Sequence, residues 1–210
     1  MPYMPPEGYR SRTETEIKRS RFITTLGRTN TETEARTLIA GVRAEFPDGR
    51  HHCMAFVLDD MGVQTARSSD DGEPAGTGGI PMMNSLVQAE LVNITAVVTR
   101  YFGGIKLGAS GLARAYGGCV AEATSTMPIV IREVHQVWAI TLTHAEVGRS
   151  EEELLRAGAT ILERTYGDTG VGLRFTFPKN PAPILARITQ GAVVPLPDGE
   201  QILEVLAEHT

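Results

Sequence analysis

The spacing of apolar positions changes several times along this chain, and each change marks an element. Residues 20–26, Ser-Arg-Phe-Ile-Thr-Thr-Leu, alternate loosely and are β-rich, which predicts a strand. Thr31 followed by Glu34 forms a capping box, and Ala35, Leu38, Ile39, Val42 and Phe46 then recur at helical spacing. Asp48-Gly49 closes that helix in a turn. Residues 52–58 read as a buried strand, Asp60-Met61-Gly62 as a hairpin turn, and 63–68 as the returning strand. Pro81 suits the first turn of a second helix carrying Met83, Leu86 and Val87. Residues 94–99 are a strongly β-branched strand, and a third helix is buried through Leu112, Ala115, Tyr116, Cys119 and Ala123. The first part therefore reads β-α-β-β-α-β-α, an α/β sandwich with its helices on one face of a sheet.

Pro128 disfavours continuing the third helix, so Thr126-Met127-Pro128 is the expected linker. Beyond it the pattern predicts a strand at 136–143, a helix at 146–157, and strands at 160–166 and 171–177 joined at 167–170. A short helix at 181–190 and a last strand at 201–206 complete it. That order, β-α-β-β-α-β, is the ferredoxin-like plan. The fold class is thus α+β, with two sandwich domains at 1–127 and 128–210.

Between the predicted strands and helices of the first domain lie two glycine-rich stretches. One runs Arg67-Ser-Ser-Asp70-Asp71-Gly72-Glu73-Pro74-Ala-Gly76-Thr77-Gly78-Gly79-Ile-Pro81. The other runs Thr99-Arg100-Tyr101-Phe102-Gly103-Gly104-Ile-Lys106-Leu-Gly108-Ala-Ser110-Gly111-Leu-Ala-Arg114. Each reads as a strand end, a loop and a helix start, a junction that presents unpaired N–H groups and the positive end of a helix dipole. Neither is a nucleotide-binding motif of known type. Ala109 stands where a phosphate loop needs its lysine, and Pro81 replaces the third glycine of a dinucleotide fingerprint. What survives is an anion-binding reading on Arg67, Arg100, Lys106 and Arg114 with the backbone of Gly103, Gly104 and Gly108. The competing reading gives the glycines to tight turns and close packing.

Asp70, Asp71 and Glu73 lack the spacing of a calcium loop, so they read as loop-shaping partners of Arg67 and Arg100 or as solvated caps. No metal or cofactor is expected. His51 and Cys53 share one side of their strand and His52 the other, and the cysteine reads as buried rather than nucleophilic. Ser110 reads as a helix cap. Tyr101-Phe102 could stack on bases, against the alternative that at least one ring lies in the core.

The net charge of −5 argues against a general polyanion binder, but it is uneven. Residues 1–127 hold 13 Lys and Arg against 14 Asp and Glu, while 128–210 hold 7 against 11, so a local patch in the first domain is the better nucleic-acid candidate. No apolar run approaches the roughly 20 residues that span a bilayer, so no membrane partner is expected. Residues 1–9 lack the pattern of a secretory signal and read as a loose tail. Two distant cysteines outside any CxxC fit a reduced, cytoplasmic protein.

These stretches resemble the YigZ/IMPACT family. The resemblance rests on Ser20-Arg-Phe22, His52-Cys-Met-Ala-Phe56, the run from Arg67 to Thr77, the run from Val98 to Gly108, and Gly111-Leu-Ala-Arg-Ala-Tyr116. It covers about residues 15–125; beyond that only length and pattern match. Gly78-Gly79 and Ser110 depart from the family pattern. The resemblance implies a first domain similar to the second domain of a small-subunit ribosomal protein and to domain IV of elongation factor G. It implies a second domain similar to the ferredoxin-like domain V of that factor. Eukaryotic relatives regulate translation under amino-acid stress through a different N-terminal domain, so their partner is not expected here. For bacterial members the implied role is RNA or ribosome binding. Two alternatives stay open: an enzyme on a small phosphorylated or acyl substrate, using Asp70, Asp71 or Glu73 with His52, and a protein-interaction scaffold docking through residues 130–210.

Overall fold

The computed structural model describes residues 3–60 and 62–207. It is a mixed α+β chain with two antiparallel sheets and, among the described residues, five helices. Two compact units divide it: Met1–Ile131 with Leu206–Thr210, and Arg132–Val205.

The first unit holds a five-stranded sheet in the order β1-β2-β5-β3-β4. These strands are β1 (Arg10–Ile17), β2 (Ser20–Arg28), β3 (His51–Asp60), β4 (Val63–Ser69) and β5 (Ile94–Tyr101). Its helices are α1 (Glu32–Glu45), α2 (Gly79–Gln88) and α3 (Ala109–Ser125). Strand β1 is absent from the sequence expectation. Its residues, Arg-Ser-Arg-Thr-Glu-Thr-Glu-Ile, alternate in burial but carry no apolar side chain before Ile17. Its turn to β2 is Lys18-Arg19, both in the left-handed region that a two-residue hairpin demands, without the Asn or Gly that advertises such a turn.

The helices do not share one face, which corrects the expectation. Cys53, Ala55 and Val57 of β3 pack under α2 and α3 with Met82, Leu86, Leu112 and Tyr116. Met54, Phe56 and Leu58, on the opposite face, pack with Ala35 and Ile39 of α1. A fully buried strand offers apolar residues to both sides, so its sequence cannot say where a helix lands. The capping box forms in modified shape: Thr31 Oγ1 accepts from the Glu34 N–H at 3.2 Å, and Glu34 Oε2 accepts from Asn30 N at 2.8 Å.

The expected tail is ordered from residue 3. Met4 is fully buried, and exchanges backbone hydrogen bonds with Val130 at 3.0 and 2.8 Å. The linker is equally well held, since Met127 lies in the same core. On α2 the buried apolar residues are Met82 and Leu86, and Val87 faces solvent. Of the turn expected at 60–62, Met61 lies outside the described residues; Asp60 pairs with Val63. Met1 and Pro2 of the tail lie outside them too.

The second unit is built from β6 (Val130–Leu142), α4 (Val147–Arg156), β7 (Thr160–Gly167), β8 (Gly170–Thr176), α5 (Ala182–Ile188) and β9 (Leu196–Leu206), the first two residues of β6 and the last of β9 belonging to the first unit. The sheet order is β7-β8-β6-β9, over a core of Ile140, Leu142, Leu154, Leu173, Phe175 and Leu185. Strand β9 starts earlier than Pro197, Asp198 and Gly199 suggest. Asp198 is held by Arg174 at 2.6 Å, and Gly199 O accepts from the Gln136 side chain at 2.5 Å.

Candidate functional site

The two glycine-rich loops meet at one end of the first unit. Arg100 ends the row of Ala96 and Val98 that faces α2 and α3. It is 7% exposed and donates from Nη1 to Glu73 Oε1 at 2.7 Å. Tyr116 Oη of α3 donates to the same oxygen at 2.8 Å. One carboxylate thus ties the first loop to β5 and α3. The Arg100 guanidinium lies 5.6 Å from the ring centres of both Phe22 and Phe102.

Asp70 organises the first loop from inside. Its Oδ1 accepts from Gly78 N and Gly79 N at 2.8 and 2.9 Å, and Oδ2 from Gly76 N at 2.8 Å. The α2 N-terminus therefore already holds an anion, and it belongs to the chain. Burial acts to raise the Asp70 pKa, but the three amide donors outweigh it and the net shift is downward from 3.8. A depressed carboxylate adds stability that is complete above its unfolded value and lost as pH falls through the folded one. Asp70→Asn is expected to destabilise by about 2 kcal/mol at neutral pH. The gap from the parent, followed by urea unfolding, is expected to narrow as pH falls below 3.8 and to close once Asp70 is protonated in the folded state.

Asp71 accepts from the His52 main-chain N at 2.7 Å and pairs with Arg43. The His52 ring is buried and bonded through Nδ1 to Thr99 Oγ1 at 2.9 Å. Burial, opposed by Asp71 and reinforced by Arg43, lowers its pKa. Cys53 donates to Asp70 O at 3.0 Å, and burial pushes its thiol up to about 12. This is the chemistry of a buried cysteine, not a nucleophile. The enzyme alternative needs a carboxylate bonded to the His52 ring, and no such bond is present among the described residues. Nor do any three His, Cys, Asp or Glu side chains of those residues converge as metal ligands.

Arg67 stands apart. It sits opposite Phe56 in register, on the α1 face, and pairs with Glu32 at 3.3 Å. Arg67 and Arg100 thus point to opposite sides of the sheet. Arg114 is exposed on α3 outside the cleft described below. Gly103 packs against the main chain of Arg19, and Gly104 has φ +87° with open space around it. Ser110 makes no cap; Gly108, at φ 74°, is the N-cap of α3, and no side chain among the described residues satisfies the first amides. Neither Tyr101 nor Phe102 enters the core: Tyr101 is half-buried beneath Arg21, and Phe102 is 46% exposed.

Between the loops lies a cleft of about 330 Å³. Arg50, Lys106, His51 and Arg100 line it with the buried Glu73 carboxylate; Pro74, Phe102, Leu107, Ala109 and Leu112 supply apolar walls, and Gly108 opens α3 at its edge. Arg50 and Lys106 are exposed, and neither side chain has an ionic partner among the described residues. Of the residues singled out in the sequence, the cleft gathers His51, Glu73, Arg100, Phe102, Lys106 and Gly108. Sequence reasoning missed Arg50, which adjoins β3 and not a glycine loop. On the second unit, Val134, Tyr166, Val194, Leu196 and Ile202 are exposed apolar side chains.

An antiparallel five-stranded sheet joined to a four-stranded unit, with paired glycine loops around a cationic cleft, defines a class to which known proteins can be compared. The Impact N-terminal domain matches residues 18–124, and the chain belongs to the IMPACT family. IMPACT family member YvyE of Bacillus subtilis is 38% identical over 155 residues, 74% of this chain and 71% of that one. IMPACT family member YigZ of Escherichia coli is 53% identical over 111 residues, 51% of this chain and 53% of the other. A crystal structure of a hypothetical protein superposes with a TM-score of 0.60 at 35% identity, covering 95% of this chain and 98% of that chain.

Proposed function

We propose that this chain is a cytoplasmic RNA- or ribosome-binding protein that acts in translation, and that the cleft between its glycine loops is the contact surface. The observation that carries this reading is the pairing of two exposed cations, Arg50 and Lys106, neither with an ionic partner among the described residues, with the N-terminus of α3, which has no side-chain cap among them. Such a surface suits a phosphate backbone, giving affinity without sequence reading. The first unit's sheet and helices suit a likeness to domain IV of elongation factor G and to the second domain of a small-subunit ribosomal protein. The order β7-β8-β6-β9 with two helices supports a ferredoxin-like second unit, similar to domain V of that factor. Arg100 acts here as a wall of the cleft, its charge matched by Glu73, and Arg67 lies outside the surface.

The test is binding of single-stranded RNA as a function of salt, by fluorescence anisotropy. Arg50→Ala with Lys106→Ala is expected to weaken binding at least tenfold at low salt and to reduce the salt slope by about 1–2. Arg67→Ala is expected to stay within about twofold of the parent. No measurable RNA binding at low salt, or an unchanged slope in the double variant, overturns the proposal.

A further inference from the structure

We infer that the cleft is a nucleobase pocket, taking one unpaired, amino-bearing base of a single-stranded RNA while an adjoining phosphate lies at the α3 N-terminus. The inference deepens the RNA reading above and rests on it. Three observations separate it from a plain phosphate site.

The first is shape and lining. A volume of about 330 Å³ is small for a ligand pocket but ample for a single base. Phe102, Leu107, Leu112 and Pro74 form its apolar walls. A phosphate has no use for such walls, whereas the face of a base does. Phe102 is the exposed aromatic among them, and Arg100 lies against its ring.

The second is Glu73. Its side chain is 4% exposed and the residue lines the cleft. Both of its hydrogen bonds, from Arg100 and Tyr116, end on Oε1. Oε2 has no partner among the described residues, nor does it count among their sealed, unsatisfied polar atoms. An ionised carboxylate oxygen only accepts, so it repels a phosphate and calls for a donor. The exocyclic amino group of cytosine, adenine or guanine is such a donor. Uracil offers only an N–H set between two carbonyl oxygens, which a single carboxylate oxygen disfavours.

The third is the separation of charge around the cleft. Arg50 and Lys106 are exposed cations, as a phosphate requires, while the acceptor is buried. A nucleotide has the same polarity, anionic at one end and donor-bearing at the other.

The experiment uses the whole chain and fluorescein-labelled heptamers of cytidine and uridine, together with a duplex of matched length, at one fixed salt concentration. The cytidine heptamer is expected to bind about tenfold or more tighter than the uridine heptamer, and the duplex more weakly than either. Glu73→Gln, whose amide oxygen still accepts from Arg100 and Tyr116 and whose fold is checked by circular dichroism, is expected to erase the preference for cytidine, because an amide serves both bases. Phe102→Ala is expected to weaken both heptamers by about tenfold or more; its ring is exposed, so this variant keeps its core. Equal binding of cytidine, uridine and duplex, unaltered by Phe102→Ala, overturns the nucleobase pocket while leaving salt-dependent RNA binding standing. Absence of binding to every RNA removes both readings. Free cytidine monophosphate competing as well as the heptamer overturns the assignment to an RNA chain.

Discussion

Glu73→Ala is expected to destabilise the first unit by about 3–5 kcal/mol, because it leaves a buried guanidinium without its counter-charge. Arg100 is 7% exposed, and its shortest side-chain hydrogen bond is the 2.7 Å contact with Glu73. The remaining side-chain bond, to Ser20 Oγ at 3.5 Å, is long, and Nε has no partner among the described residues. The same substitution strips Tyr116 Oη of its acceptor. Urea unfolding monitored by circular dichroism measures the loss. A companion variant separates charge from packing. Glu73→Ala with Arg100→Met removes both members, and is expected to recover about half or more of the loss. A double variant no more stable than the single would mean that the carboxylate stabilises by packing rather than by charge.

Gly103→Ala carries the second large effect. A Cβ built at this position would sit 1.9 Å from Arg19 O and 2.0 Å from Arg19 C. The obstacle is main chain, at the tight turn between β1 and β2, so no side chain can swing aside. The Gly103 N–H also donates to Ser20 Oγ at 3.2 Å, and any shift of the loop gives up that bond as well. A loss of about 3 kcal/mol is expected in the same unfolding measurement. Gly104→Ala is the informative contrast: open space surrounds it, so its cost is confined to its φ of +87°, about 1 kcal/mol. Equal losses at the two positions would refute the close-approach account.

Much of the architecture was legible because it is written in periodicity. α1 shows its apolar spacing and its Thr31 cap, and β5 is β-branched through most of its length. What escaped was whatever periodicity does not encode. β1 is polar on both faces up to Ile17, and its turn of Lys18-Arg19 has no turn-forming composition. The side of the sheet on which α1 lies is decided by tertiary packing, since β3 is apolar in both directions. At the site, glycine loops with basic flanks were visible, but the partner of each charge was not. Three acidic residues in four positions look alike in sequence. Folded, Asp70 gathers amides, Asp71 holds the start of β3, and Glu73 alone reaches the cleft. Arg67 and Arg100 look equivalent too, until strand alternation sends them to opposite faces.

The internal anion at the start of α2 has a consequence for association. With Gly76, Gly78 and Gly79 already tethered to Asp70, a long glycine-rich segment keeps little of the conformational freedom its composition allows. Glu73, between Asp70 and the tethered glycines, inherits that rigidity. The entropy of ordering this wall is therefore lost during folding, and an incoming molecule meets a surface that is preorganised on this side.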